Sequence, residues 1–294
     1  MGKLKKCIRL SNGRIDLVAT TDVGPRVLRL GFAGGRNLFA EYPGQWDARG
    51  GDAWRIFGGH RLWHAPEAKP RSYAPDNGPV EHEWDGRTLV LRQRMEHLTG
   101  IEKHVEIALD PRAPRVRVLH RLINRNLWDI EAAVWGLSVM APGGRLVIPQ
   151  EPFRSHAEWL LPARPVVLWH YTDMSDPRWT WGERFIQLRQ DPAATTPQKI
   201  GVFNAQGWAA YALGGDVFLK RFPVAAGARY PDMGCNFETF TCASMLECES
   251  VGPLTRLAAN GGTAEHVEEW ILAKADLGAT DRRIASALRP VLKP

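Results

Sequence analysis

The chain is expected to be all-β, with two large antiparallel sheets packed face to face. Three observations support that expectation. Runs in which apolar and polar residues alternate recur along most of the 294 residues, the period of a half-buried strand. Gly, Pro, Asp or Asn bounds nearly every run, as turns between antiparallel neighbours require. Helical spacing is found only near the C-terminus. About fifteen strands with no Pro/Gly/Ser linker between them fit one domain, 1–294, of the sandwich kind.

Taken in order, GRIDLVATT and RVLRLGF flank the turn cluster Asp22-Val23-Gly24-Pro25. RTLVLRQRMEH, GIEKHVEIALD and PRVRVLHRLINRN follow as close neighbours. In the middle one, Ile101, Val105, Ile107 and Leu109 share one parity, and Glu102, His104 and Glu106 share the other. That strand has one wet face, which solvates its acids and His104. Later strands are expected in EAAVWGLSVMA, RLVIP, ARPVVLWHY, ERFIQLRQ, KIGVFN, GWAAYAL, DVFLKRF, SMLECESVG and HVEEWILA. TDRRIASALRPVLK reads as a helix capped by Thr280 or Asp281.

Composition narrows the function. Hydrophobic residues make up 44% and charged ones 24%, a globular balance that provides a sizeable core. MGKLKKCIRL has basic residues with no apolar run behind them, so neither a secretory signal nor a membrane partner is expected, and the chain reads as cytoplasmic. Cys7, Cys235, Cys242 and Cys248 show no CxxC pairing and read as free thiols. The net charge of +6 comes from scattered Lys and Arg. Nucleic acid would call for a basic stripe with aromatics between, so it is not expected as a partner. A mild positive field also suits an anionic small molecule.

Three polar clusters beside turns are candidate sites. The first is FGGHRLWHAPE, with His60, Arg61, Trp63, His64 and Glu67, followed by Tyr73, Asp76 and Asn77 in YAPDNGPV. Two imidazoles, a guanidinium and a carboxylate in a glycine-led loop suggest a binding wall. An HxxxH pair can grip a metal from one helical turn, but Gly58, Gly59 and Pro66 disfavour a helix, so no metal is expected. The second is YPDMGCNFE, with Asp232, Asn236 and Glu238. The third is MLECESVGPL, where Glu247 and Glu249 point the same way from a strand. Two crowded, partly buried carboxylates raise each other's pKa, which suits proton transfer. Most of the twelve tryptophans fill cores. One or two, with Asp, Asn, Arg and His beside them, would make the platform and hydroxyl ligands of a sugar cleft.

IDLVATTDVGPRVLRLGFAGGRNLFAE resembles the opening strands of the galactose mutarotase-like superfamily. The order GGHRLWHAPE, HRLINRN, MLECES and HVEEWIL is similar too, and with YPDMGCNFETF it resembles uncharacterised bacterial members. The resemblance spans nearly the whole chain. It implies a β-supersandwich, a small-molecule carbohydrate partner and no cofactor. In the aldose and hexose-6-phosphate epimerases of that superfamily a strand glutamate is the base, and by order and the Met-x-x-x-Glu pattern Glu249 takes that place. The position of their acid histidine falls in AAVWGLSV, where the nearest match is Trp135, a poor proton donor. His60 or His64 is therefore the expected acid.

The leading expectation is a cofactor-free aldose epimerase or related sugar isomerase working by acid/base chemistry at the anomeric centre. Glu249, His60 and His64 would be catalytic, and Arg61, Trp63, Glu67, Asp76, Asn77, Trp135, Asp232, Asn236, Glu238 and Glu247 would bind substrate. Two alternatives stay open: a lyase or hydrolase on a uronate-containing or larger glycan, with Arg61 or Arg178 on the carboxylate or paired acids at the bond, and a sugar-binding protein without turnover.

Overall fold

A computed structural model of the chain describes residues 6–293. The MGKLK stretch, part of the segment read for a targeting signal, lies outside the described residues. The first half contributes β1 (Cys7–Ser11), β2 (Ile15–Thr20), β3 (Arg26–Phe32), β4 (His60–Ala65), β5 (Glu81–Trp84), β6 (Thr88–Gln93), β7 (Ile101–Leu109), β8 (Arg115–Asn124), β9 (Ile130–Met140) and β10 (Arg145–Pro149). The second half contributes β11 (Val166–Leu168), β12 (Trp179–Trp181), β13 (Phe185–Arg189), β14 (Gln198–Val202), β15 (Trp208–Leu213), β16 (Asp216–Arg221), β17 (Phe237–Cys242), β18 (Met245–Val251), β19 (Thr255–Leu257) and β20 (Thr263–Lys274). One helix, α1 (Asp281–Leu288), follows, and the Thr280 side chain accepts from the Arg283 N–H as its cap.

The strands form two antiparallel sheets. The front sheet runs β1-β2-β3-β4-β9-β18-β17-β14-β11, with β19 beside β9, and the back sheet runs β12-β13-β10-β15-β16-β20-β8-β7-β6-β5. Leu17, Leu30, Leu62 and Val134 of the front meet Leu91, Val105, Val118, Phe218 and Trp270 of the back in one continuous apolar layer. At about 25 cal/mol per Å² of apolar surface, this layer is the main term favouring the fold. The outer face of β7 is only partly wet: Glu106 pairs with Arg121 and Glu102 with Arg125 at half-buried positions, whereas His104, expected to be solvated, is buried and held by Glu102 Oε1 at 2.5 Å. No helix among the described residues is long and apolar enough to cross a membrane. Cys235 and Cys248 are buried free thiols, whereas Cys7 is exposed.

FGGHRLWHAPE is not a loop but leads into β4, in the middle of the front sheet. Gly58 and Gly59 have φ of +97° and +69°, and a Cβ on either would sit 2.2 Å from the carbonyl of Ala40 or Val27. The two glycines let the chain pass close over its neighbours before it pairs; they mark a crossing, not a flexible segment.

A polar network lies between the sheets. Lys220 Nζ donates to the carbonyls of Gly136 and Cys248 and to Glu268 Oε1 at 3.1, 3.0 and 2.9 Å. Glu268 also accepts from Ser250 Oγ at 2.5 Å and Trp270 Nε1 at 2.6 Å. Burial opposes the charge on Glu268, but the Lys220 ammonium outweighs it and holds the carboxyl well below the usual range. Glu268→Ala would leave the buried ammonium without its counter-charge, a loss of about 3–5 kcal/mol. Thermal unfolding of this variant against wild type should show a large fall in Tm, and an unchanged Tm would refute the role given to the pair.

Candidate functional site

Strand alternation sorts the polar residues of the front sheet onto two faces. Arg61 and Trp63 point outward from β4, while His60, Leu62 and His64 point into the sandwich. In an antiparallel sheet, residues directly opposite share a face. Arg61 stands opposite Leu137, Leu137 opposite Glu249, Glu249 opposite Glu238 and Glu238 opposite Gly201. Thus one straight row crosses β4, β9, β18, β17 and β14. Trp63 and Trp135 are paired in the adjoining row.

A cavity of about 290 Å³ opens on this row. Trp54, Trp63, Tyr73, Trp135, Tyr171 and Phe240 supply aromatic wall, and Arg61, Glu67, Lys199, Glu247 and Glu249 supply polar groups. The rings of Trp63 and Trp135 meet edge-on at 5.5 Å, and Trp54 and Tyr73 meet at 5.3 Å. Such a volume is near the lower end for small-ligand sites, about 300–1,000 Å³. A larger depression, about 690 Å³, runs past Asp76 and Glu96, but Arg26 and Lys103 already neutralise those two acids.

The charges around the cavity are tightly interlocked. Trp135 Nε1 donates to Glu249 Oε2 at 3.0 Å, whereas Oε1 has no hydrogen-bond partner among the described residues. Burial, partly opposed by Lys199, pushes the Glu249 carboxyl up to about 7. Glu238 is fully buried and burial pushes it up to about 8. Lys199 Nζ lies 2.8 Å from Glu238 Oε2 and 3.9 Å from both Glu249 Oε2 and Glu67 Oε2. The 2.8 Å approach is a close ion pair that holds Oε2, while Oε1 has no partner among the described residues. Burial opposes the charge on Lys199, but Glu249, Glu238 and Glu67 outweigh it and hold the ammonium well above the ordinary lysine range. Its Nζ also sits 5.0 Å over the Trp135 ring and 4.6 Å over Trp169. Across the cavity Arg61 Nη2 donates to Glu247 Oε1 at 3.0 Å and its guanidinium stacks 4.6 Å from the Trp63 centroid. Its Nε and Nη1 are buried without partners among the described residues. Unpartnered buried donors facing an unpartnered acceptor across a cavity describe a site shaped for a polar guest.

The cavity thus unites Arg61, Trp63, Glu67, Trp135, Glu247 and Glu249 from the expected set, with Glu238 directly behind. The two histidines do not reach it. His60 Nε2 meets His120 Nε2 at 2.7 Å and its Nδ1 meets Ser138 Oγ at 2.9 Å, inside the sandwich. Since His120 Nδ1 donates to the His266 carbonyl at 3.0 Å, His120 Nε2 accepts from His60 Nε2–H, and both rings are neutral. Burial pushes His60 and His64 well below the usual imidazole range. Both are enclosed because they have the parity of Leu62. A ligand atom from each of His60, His120 and Glu268 fits within 4.8 Å, as a metal would need. The Glu268 oxygens, however, are taken by Lys220, Ser250 and Trp270, and the adjacent ammonium repels a cation.

Four other expected ligands lie off the cavity wall. Asp76 grips Arg26 Nη2 with both oxygens, at 2.8 and 2.6 Å. Asn77 donates to the carbonyls of Gly51 and Ala53, steadying the loop that brings Trp54 to the wall. Asn236 bonds the backbone N–H and C=O of Asn204. Asp232 is partly exposed in a turn at φ +49°. Conversely, Lys199, Trp54 and Tyr171 line the cavity unforeseen. A lysine opening the apolar run KIGV was the available signal for Lys199, since a strand buried on both faces rarely accepts an unpaired charge.

No family model matches the sequence and no curated protein matches it. Solved structures do. The Slr1438 protein of Synechocystis sp. PCC 6803 aligns over 93% of this chain and 99% of its own at 10% identity, TM-score 0.60. A galactose mutarotase-like protein from Lactobacillus casei aligns over 91% and 100% at 9% identity, TM-score 0.57. A Klebsiella pneumoniae protein named as a candidate aldose 1-epimerase aligns over 99% and 85% at 10% identity, TM-score 0.61. The chain therefore has the galactose mutarotase-like β-sandwich fold.

The raised acids make stability fall toward alkaline pH. Glu238 and Glu249 ionise in the unfolded chain near 4.5 but in the fold only near 8 and 7. Between those limits the folded state binds more protons, so their stabilising contribution is complete at low pH and is lost as pH rises through 7 to 8. Glu238→Gln should keep its Tm near wild type at pH 5 and exceed it at pH 8.5. Parallel pH–Tm curves for the two proteins would contradict the burial assigned to Glu238.

Proposed function

We propose that this protein is an aldose epimerase or related sugar isomerase that works by proton transfer at the anomeric centre of a monosaccharide held in the cavity. The observation that supports this most is the unpartnered Oε1 of Glu249, a carboxylate ionising near neutrality on an aromatic wall, with the Lys199 ammonium 3.9 Å from its other oxygen. In this reading Glu249 is the base. It takes the proton of the anomeric hydroxyl as the bond between the anomeric carbon and the ring oxygen breaks. Lys199, rather than a histidine, gives a proton to that ring oxygen: as Glu249 takes up the anomeric proton it loses the charge that helps hold the ammonium above the ordinary lysine range, and Lys199 releases its proton more readily. The carboxylate and ammonium lose their charges together, so no net charge is created in the low-dielectric wall. The open aldehyde turns about its C1–C2 bond, and the same two protons return on reclosure. The reaction moves protons only, so it requires no cofactor.

Trp63, Trp135 and Tyr171 present ring faces and edges that suit the C–H surface of a pyranose. The free Nε and Nη1 of Arg61 and the rim acid Glu67, bonded by the Tyr73 hydroxyl, suit its hydroxyls. Glu67, Glu247 and Glu249 outnumber Arg61 and Lys199 along the wall, and both cations already have an acid within 3.0 Å. An uncharged sugar is therefore favoured over a uronate or sugar phosphate.

Magnetisation-exchange NMR on a panel of neutral aldoses tests the reading. Wild type should speed anomer exchange for at least one of them. Glu249→Gln and Lys199→Met should each slow that exchange about 10²–10⁴-fold, and wild-type kcat/KM should fall as pH drops through about 7, where Glu249 takes up its proton. Sugar binding without exchange would leave a binding protein, and full activity in Glu249→Gln would remove Glu249 as the base.

A further inference from the structure

Both sheets end on the same side of the sandwich. The front sheet stops at β11, paired only to β14, and the back sheet at β12, paired only to β13. Trp179 Nε1 of β12 donates to Gln198 Oε1 of β14 at 3.1 Å, and the Asp173 N–H donates to the same oxygen at 2.9 Å, so the two edges are tied side by side. The opposite edge of the back sheet, β5, reads EHEW and is guarded by Glu81 and Glu83. β11 reads VVL and β12 reads WTW, with no charge in either. Open strand edges in water are normally blunted by charge, proline or a cover, because their free N–H and C=O groups pair with other chains. Pro165 precedes β11, but nothing charged lies on it.

The chain beside this edge has the same character. Residues 156–166 are exposed at every position, yet they include the run Trp159-Leu160-Leu161. Leu160 is 76% exposed, Leu161 71% and nearby Phe153 67%. Val166, Leu168, Tyr171, Met174 and Trp181 are also exposed, so the edge and its flank hold most of the large exposed hydrophobics among the described residues. The four aromatic side chains offer about 150–250 Å² apiece and the five aliphatic ones somewhat less, so that, half exposed, they present on the order of 800 Å² of apolar surface. That exceeds the few hundred Å² usual on a monomer and matches the roughly 800 Å² per partner of a stable interface.

We propose that a second copy of this chain covers the surface, forming a two-fold dimer in which β11 pairs antiparallel with its own copy. An open strand edge is self-complementary across a two-fold axis, and a dimer built this way removes the same liability from both chains. The flanking charges are mixed in sign, with Arg154, Glu158 and Arg164 exposed and Glu151 half-buried along residues 151–164. A patch of mixed sign is able to pair with its own copy across a two-fold axis. Tyr171 belongs both to this segment and to the cavity wall, so the partner would sit beside the cavity mouth.

Sedimentation velocity tests the proposal independently of any catalytic reading. Wild type should sediment at twice the chain mass across the micromolar range, where interfaces of this size hold. The doubly charged variants Leu160→Glu/Leu161→Glu and Val166→Lys/Leu168→Lys should each sediment at the mass of one chain, and Glu83→Lys on the far edge should stay dimeric. Hydrogen exchange on wild type gives a second readout that needs no variant: amides of 156–171 should exchange at least tenfold more slowly at high than at low protein concentration. A wild type monomeric throughout the range, which would leave the patch to a different protein, overturns the proposal. So does a dimer that survives both charged variants, or exchange in 156–171 that ignores concentration.

Discussion

The candidate site depends on the register of five paired strands. Arg61, Leu137, Glu249, Glu238 and Gly201 are opposite one another from β4 to β14, and side chains alternate faces at each step along a strand. A slip of one residue in β4 would swap Arg61 and Trp63 for His60 and His64 and empty the wall of its guanidinium. The two sheet faces therefore constrain each other. Leu62 anchors the inner side, and the inner polar cluster of His60, Ser138 and His120 accepts only this register.

The two polar clusters differ in the way that separates structure from function. Between the sheets, Lys220, Glu268, Ser250 and Trp270 satisfy one another, with all three Lys220 donors used. A network so closed specifies packing and has nothing left to offer a ligand. On the outer face Glu249 Oε1 and two Arg61 nitrogens are buried without a hydrogen-bond partner among the described residues. Leaving such groups unpaired costs about 1–3 kcal/mol each, and a bound hydroxylated guest that pairs them recovers part of that cost. The aromatic wall gives the same guest an apolar face to rest on.

Much of this fold was legible because period-two alternation and turn residues are local signals. RVLRLGF and RLVIP became β3 and β10 residue for residue, and Thr280 caps α1. Glu247 and Glu249 could be placed together because a strand fixes residues two apart on one face. The histidines were misplaced because Gly58 and Gly59 read as a loop, which hid the parity that encloses His60 and His64 while exposing Arg61. Asp76 and Asn236 looked like ligands because sequence does not show that Arg26 and the Asn204 backbone already hold them. The place of Lys199 on the cavity wall was hard to read for the same reason. Its partners Glu238 and Glu249 are 39 and 50 positions away, and only the β14-β17-β18 pairing brings them together.

The central claim is that a sugar lies on this row with its anomeric carbon beside Glu249. A crystal of the protein soaked in an aldose whose anomers it exchanges tests this most directly. The account predicts a pyranose against Trp63 and Trp135, its anomeric hydroxyl in hydrogen-bond contact with Glu249 Oε1 and its ring oxygen facing Lys199. A sugar bound outside the cavity, or one whose anomeric carbon faces Arg61 and Glu247 instead, would contradict it.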